Sequence, residues 1–554
     1  MNEIQVSLEG ERAAAHSAAT PVGTLLKSPQ NAQGLPYIGA LVNNKAVSLS
    51  YLLQINCNVR FLTAADSLGD RIYRNSLSFL LAMAANKFFP ETRLSIEHSL
   101  GAGIYYALET GKKSFRPEAL IREIEAKMRK LVSAGLPIER RHLSFADAIA
   151  LFDRAGMSEK ANLLRFRNPP KITIHWCGGY LDLAHSPLAP GTDALKYFRL
   201  VNYPPGLVLQ FPPRQNPKHV ARFRGEPRLF QIFQEHKEWG RIMGVNNAGR
   251  LNELIAGNEI GNFIKISESF HEKKIARLSD TIQARRGQIK VALISGPSAS
   301  GKTTFAKRLA VQLQVNGIRP VMLSLDNYYV DDAQTPRDKR GRRDYEHIEA
   351  IDIALFNRHL AALIAGREIE LTRFDFNRKQ RVSADKRLKI EPDQVIIVEG
   401  IHGLNPLFTS GIERRRIFKI YVSALTQLNI DRHNRISTTD NRLMRRLVRD
   451  HIFRGNSPLA TLKMWPTVRR GEKRWIFPFQ SQADAFFNSA LDYELAVLKP
   501  LGEPLLMQVK PFDAEYAEAA RLQEFLSNFL SIPRNEVPRN SILCEFIGAS
   551  SFRY

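Results

Sequence analysis

Cysteine is nearly absent: Cys57, Cys177 and Cys544 are three in the whole chain, far apart and odd in number. That excludes a disulfide framework and any C-x-x-C zinc or redox pair, and it points to a reducing, cytoplasmic setting. Long apolar runs are missing too. No stretch approaches the roughly 20 residues that span a bilayer, so no membrane partner is expected. The opening Met1-Asn2-Glu3-Ile4 lacks the basic start and apolar stretch of a secretory leader, and none is expected. Acidic residues are in short supply: 55 Asp and Glu stand against 79 Lys and Arg, a net charge of +24. This excess fits a polyanionic partner such as RNA, held through its phosphates, and equally an arginine-rich composition around a phosphate-handling site. Charge alone does not choose between them, so RNA contact stays open, as does the oligomeric state. Internal repeats and long low-complexity segments are also lacking.

What is present divides into zones. At 554 residues the chain is too long for one core, and about two to four domains are expected. The first 60 residues lean to β-structure: Ile4 to Leu8 alternates, and Ala40 to Leu49 carries a hairpin-like turn at Asn43-Asn44. From 61 to 212, helices (Ser76 to Phe89, Pro117 to Ala134) mix with strands such as Ile172 to Trp176. Prolines 204, 205, 212, 213 and 217 mark a boundary or stiff connector. Residues 213–288 form a mostly helical linker, 289–510 an α/β domain, and 511–554 a helical tail.

The most informative segment is Gly296-Pro297-Ser298-Ala299-Ser300-Gly301-Lys302-Thr303, which reads G-x-x-x-x-G-K-T. The apolar run Val291 to Ile294 precedes it as a buried strand. Phe305, Ala306, Leu309, Ala310 and Leu313 follow at helical spacing, and Gly317 closes the helix. Strand, glycine loop and helix make a cradle for a nucleoside triphosphate, whose phosphate oxygens meet backbone N–H groups and the positive helix end. Lys302 reaches the transferring phosphates, the Thr303 hydroxyl is placed for Mg²⁺, and Thr304 continues the cradle. ATP or GTP is the expected nucleotide, with Mg²⁺ as its cofactor.

Two further strands end in acids. Pro320 to Leu325 leads to Asp326, where a carboxylate serves as general base, as a water-mediated Mg²⁺ ligand, or simply as a helix cap. Val395 to Val398 leads to Glu399, a strand-end acid able to reach the metal. A basic stretch follows, with Arg442, Arg445, Arg446 and Arg449 largely on one helical face. It reads as a solvated surface or, in a phosphate-handling domain, as a lid neutralising transition-state charge.

Together these residues resemble the phosphoribulokinase/uridine kinase family of P-loop kinases. The supporting segments are G-P-S-A-S-G-K-T-T at 296–304, S-L-D-N-Y-Y at 324–329, D-Y-E-H-I-E-A-I-D at 344–352, R-F-D-F-N-R-K-Q-R at 373–381, V-E-G-I-H at 398–402, and the arginine helix. The resemblance implies a parallel sheet flanked by helices and transfer of the ATP γ-phosphate to a sugar hydroxyl. It implies Asp326 as base, Lys302 and Arg446 as catalytic partners, and Arg445 and Arg449 on ATP. Thr303 and Glu399 would attend the metal. Glu346, Phe374, Lys379 and Arg381 would line the acceptor pocket. Glu346 matches an aspartate on the ribose hydroxyls, Phe374 a base-stacking tyrosine, and Lys379 a base-reading histidine. A lysine cannot accept hydrogen bonds as a neutral histidine can, so a nucleoside or related ribosyl acceptor is expected without commitment to uridine.

The first 60 residues resemble a TGS domain, a small β-grasp fold. The next 150 resemble the α+β editing-type domain of threonyl-tRNA synthetases, through I-Y-R-N-S-L-S-F-L-L at 72–81, F-P-E-T-R-L-S-I at 89–96 and G-I-Y-Y at 103–106. That domain's H-x-x-x-H pair falls on Asn75 and Phe79, and its later ligands on Ala184 and Leu188, with His185 one place out of register. Such side chains neither bind zinc nor shuttle protons, so the fold is expected without the chemistry. The leading expectation is a small-molecule kinase. An RNA-associated P-loop NTPase or RNA kinase and a catalytically weak nucleotide sensor stand beside it.

Overall fold

The computed structural model describes residues 3–110, 117–338, 341–375 and 378–553. Phe376 and Asn377, within one of the family-like segments, lie outside the described residues. The chain forms two compact units, each assembled from separated segments. One comprises Met1–Gly257, Gln427–Ser437 and Glu503–Ser531, the other Asn258–Thr426, Thr438–Gly502 and Ile532–Tyr554.

The first unit opens with a five-stranded sheet in the order Ala14–Ser17, Glu3–Leu8, Cys57–Leu62, Gly39–Val42, Lys45–Val47. Glu3–Leu8 and Cys57–Leu62 run parallel, and the other pairs are antiparallel. Asn43 and Asn44 adopt φ of 46° and 58°, the left-handed pair a two-residue hairpin needs. Helix Ser67–Phe88 begins nine residues before the expected Ser76. Its first turns carry few apolar residues, so the periodic signal is weak there; Asp66, which accepts from the Thr63 N–H, and the Asp70–Arg74 pair support them instead. The helix buries Ile72, Leu77, Leu80 and Leu81 in one core with the four-stranded sheet of Thr92–Leu100, Gly103–Thr110, Arg199–Tyr203 and Gly206–Gln210. Pro204 and Pro205 are the turn of the hairpin pairing Tyr203 with Gly206, not a connector between domains. The stretch expected to be mostly helical holds Pro227–Met243, Ala248–Ala256 and Ile260–Gln283, and the division between units falls between the last two.

Residues 427–437, inside the expected α/β zone, belong to this first unit. They form a small hairpin, Asn429–Asp431 with Asn434–Arg435, whose Asp431 is completely buried on Lys160 at 2.9 Å. A buried charge must be paired, so that contact fixes where the hairpin sits. The tail is likewise divided. Tyr516–Leu526 joins the first unit through Glu518 on Arg71, while residues from Ile532 onward belong to the second.

In the second unit we label β1 (Val291–Ser295), α1 (Lys302–Val315), β2 (Pro320–Ser324), α2 (Ile353–Ile364), β3 (Ile369–Asp375), β4 (Gln380–Leu388), β5 (Val395–Glu399), β6 (Ile417–Ser423), α3 (Thr438–Arg454), α4 (Pro458–Trp475) and β7 (Ala485–Asn488). The main sheet has the order β2-β5-β1-β6-β7 and is parallel throughout. β1, β5 and β6 are buried along their whole length, as continuous aliphatic runs covered on both faces must be. Their carboxyl ends carry the loop after β1 and the acids after β2 and β5. β3 and β4 form a separate antiparallel hairpin.

Candidate active site

The loop between β1 and α1 is shaped by two glycines. A side chain at Gly296 would run into the Val422 carbonyl at 1.9 Å, and Gly301 has φ of 80° as it enters α1. From outside, three carbonyls are gripped: Arg442 donates to Ser298 O (3.0 Å), Arg445 to Ala299 O (3.5 Å) and the Ser489 hydroxyl to Ser300 O (2.6 Å). In a trans peptide the following N–H points the opposite way, so holding these oxygens outward turns the amides of residues 299, 300 and 301 inward. This is the anion-binding concavity that a phosphate requires.

Lys302 is buried, and its ammonium donates to Pro297 O at 3.2 Å. Burial lowers its pKa while Glu399, Glu545 and Asp326 pull the other way. Thr303 Oγ1 lies 3.5 Å from Glu399 Oε1, and the Ser324 hydroxyl donates to the same oxygen at 3.2 Å. Ser324 also accepts from the Asp326 N–H (3.2 Å), so one hydroxyl ties the two strand ends together. Burial, then the charge of Asp326, push Glu399 up to about 7. Burial raises Asp326 as well, against Lys302, Arg454 and Arg449. Two carboxylates that oppose each other's ionisation are short of positive charge, which fits a divalent cation between Thr303 and Glu399. Among the described residues no group of three or more His, Cys, Asp or Glu could enclose a metal. A Mg²⁺ here would take its remaining ligands from phosphate oxygens and water, as that ion usually does.

The α3 arginines have different partners. Arg442 and Arg445 are fully buried, paired with Glu472 and Glu494, and support the loop from behind. Arg446 donates to the Ser298 hydroxyl at 2.8 Å and shares Asp450 with Arg449 and Arg454. One carboxylate among three guanidiniums leaves an excess of positive charge, and Arg449 and Arg454 face Asp326. Of the two arginines expected on ATP, Arg445 is thus taken up by Glu494 and Ser489 while Arg449 pairs with Asp450, and Arg446, expected as a catalytic partner, reaches the loop at Ser298.

Glu346 sits against Gly471 of α4, where even a β-carbon would lie 2.4 Å from the Glu346 side chain. Its Oε2 is buried with no hydrogen-bond partner among the described residues, and burial pushes the carboxyl up to about 7 against the pull of Arg446. Phe374 is buried in the apolar cluster, 5.4 Å from the Tyr329 ring centre. Lys379 lies exposed where β3 turns into β4, with φ of 54°, and Arg381 pairs with Asp352 at 2.9 Å. Sequence reasoning missed Glu472, Glu494, Ser489 and Glu545. Glu472, Glu494 and Glu545 are single acids in helices and Ser489 directly follows β7, and the loop, α1 and α3 groups they meet lie far from them in sequence.

In the first unit, the positions matched to the editing centre are filled by packing. Asn75 donates to Ser186 (2.6 Å), Phe79 packs edge-on against Tyr180, and Leu188 is buried. Beside them Lys160 bridges Asp182 (2.6 Å) and Asp431 (2.9 Å), and His433 Nδ1 lies 2.6 Å from Asp182. Burial alone would raise Asp182, but Lys160 and His433 outweigh it and hold the carboxyl at about 2.

The model of the phosphoribulokinase/uridine kinase family matches residues 291–496. This segment is a phosphoribulokinase/uridine kinase family domain. Over its N-terminal region the chain is similar to threonine–tRNA ligases. That of Carboxydothermus hydrogenoformans is 35% identical over 164 residues, 29% of this chain and 26% of the ligase. That of a Geobacter species is 32% identical over 202 residues, 36% of this chain and 31% of the ligase. The chain thus spans about a quarter to a third of the length of these curated relatives. Among solved structures, one described as a possible uridine kinase from Bacillus stearothermophilus overlaps with a TM-score of 0.28 at 18% identity, covering 39% of this chain and 98% of that one. A D-glycerate 3-kinase from Cryptococcus neoformans overlaps at 0.22 and 14%, covering 46% and 87%. At these scores the superpositions are too loose to carry geometry or substrate across. The kinase-family domain is joined, in one chain, to a region similar to synthetase segments.

Proposed function

We propose that the kinase-family domain transfers the γ-phosphate of Mg-ATP to a hydroxyl of a nucleoside or related ribosyl compound. The observation that carries this reading is Asp326. It is a strand-end carboxylate of raised proton affinity, facing the loop lysine and two arginines. A carboxylate so tuned accepts the proton of an attacking alcohol more readily than an ordinary one. Lys302 and Arg446 are placed to neutralise charge on the transferring group, and the inward amides fix its oxygens. Mg²⁺, when bound, would offset charge on the phosphates, with Thr303 and Glu399 on its protein side. The Glu346 oxygen, without a hydrogen-bond partner among the described residues, supports a hydroxyl-bearing acceptor, since a buried carboxylate oxygen calls for a donor.

The test is the purified full chain with Mg-ATP against nucleosides, pentose phosphates and bulk tRNA, following ADP release and product mass. A nucleoside gaining one phosphate supports the proposal. Phosphate appearing on tRNA alone would replace it with an RNA-directed reading, and ADP release with no phosphorylated product would leave only an NTPase.

A further inference from the structure

The first N–H groups of a helix have no intrahelical acceptor. In α1 one of these donors is already engaged by the chain itself. The Thr304 N–H donates to Glu545 Oε2 at 3.0 Å, and the Thr304 hydroxyl donates to the same oxygen at 2.8 Å. A carboxylate oxygen on the amide and hydroxyl of the loop's last threonine makes the contacts that a nucleotide phosphate oxygen makes in such a cradle.

The segment carrying Glu545 is fixed. Ile542 lies over Gly301, where an added β-carbon would meet it at 2.4 Å. The Arg445 guanidinium stands 5.0 Å from the Phe546 ring centre. Leu543, Cys544, Phe546 and Ile547 are buried around the single helical turn Cys544–Ile547. Glu545 alone in that turn is half-exposed, so its side chain can swing away while the turn stays in place.

We propose that Glu545 is an internal phosphate mimic, occupying the subsite at Thr304 that takes the innermost phosphate of the nucleotide and competing with it. The proposal rests on the nucleotide-binding reading of the loop. The nucleotide must expel a carboxylate from two donors and then sit near its charge, so the native chain binds nucleotide more weakly than its loop alone would allow. Triphosphates outcompete Glu545 through the additional contacts of their outer phosphates, whereas a ligand that does not reach Thr304 does not compete with Glu545.

The experiment is calorimetric titration of the full chain and of Glu545→Ala and Glu545→Gln with Mg-ATP and with Mg-pyrophosphate. Thermal melts confirm that each variant folds. Glu545→Ala should tighten Mg-ATP about ten- to a hundredfold, the scale of hydrogen bonds to a charged group. Glu545→Gln, which keeps the shape but loses the charge, should tighten it less. Pyrophosphate should gain little, because it can bind without reaching Thr304. If the native chain binds Mg-ATP and neither variant tightens it, Glu545 is scaffolding and the inference is overturned while the nucleotide site stands. Equal gains for both ligands would show a general field instead of occupancy of one subsite, and would also overturn it. Should neither native chain nor variants bind Mg-ATP, the loop reading itself fails and takes the inference with it.

Discussion

At the scale of single residues, the phosphate side was legible because its chemistry is local. Eight consecutive positions fix the loop, and the acids at 326 and 399 follow apolar strands that end where parallel sheets place ligands. Lys302→Ala should abolish transfer and strongly weaken ATP binding, checked by ADP release and nucleotide titration; turnover at the native rate would remove the loop from the reaction. Asp326→Asn should keep ATP binding while the rate falls by about 10²–10⁴, the range of a lost general base. Loss of Mg-ATP binding with chemistry retained would make Asp326 a metal residue. Glu399 gives a pH signature. Its carboxyl rises from 4.5 to about 7 on folding, so between those values the folded chain holds a proton that the unfolded chain has released. The resulting stabilisation is complete below 4.5 and lost as pH climbs through about 7. Without Mg²⁺, the melting temperature should therefore decline across that window, less so in Glu399→Gln, and Mg²⁺ should restore most at the alkaline end. An identical decline in the variant would sink this account.

At the scale of elements, what the sequence showed was existence and face; what it hid was partnership. Four arginines on one face of α3 were readable from spacing. That Arg442 and Arg445 are scaffolding was not, because their carboxylate partners lie 30 and 49 residues away. Phe374 and Lys379 were matched to a base-reading pair, yet the hairpin buries one and exposes the other, as alternation along a strand and a turn of positive φ require. The small hairpin at 429–435 was hidden for the same reason as the arginine partners: Lys160 is more than 250 residues upstream. Lys160→Met should leave the buried Asp182 and Asp431 without the ammonium they share, Asp182 keeping His433 and Asp431 the Asn434 amide, and destabilise the chain by about 3–5 kcal/mol, measured by urea unfolding. A loss under about 1 kcal/mol would mean that water already reaches the pair.

At the scale of the whole molecule, the five zones follow one another along the chain, but the compact units do not. The chain passes between units after Gly257, Thr426, Ser437, Gly502 and Ser531. Contiguity is what a sequence reading assumes by default, and here the buried Asp431 on Lys160 and the pairing of Glu518 with Arg71 overrule it. Residues 1–257 expressed alone should consequently lack a cooperative urea transition, since they leave Lys160 without Asp431 and Arg71 without Glu518. A sharp transition from that fragment would show that the later segments are accessories. The interleaving also sets a clock on synthesis. A ribosome adding about 5–20 residues per second has finished Gly257 roughly 10–35 s before it reaches Ser437. For that interval Lys160 and Asp182 exist with no hairpin to cover them, so the part of the chain made first is among the last to be completed.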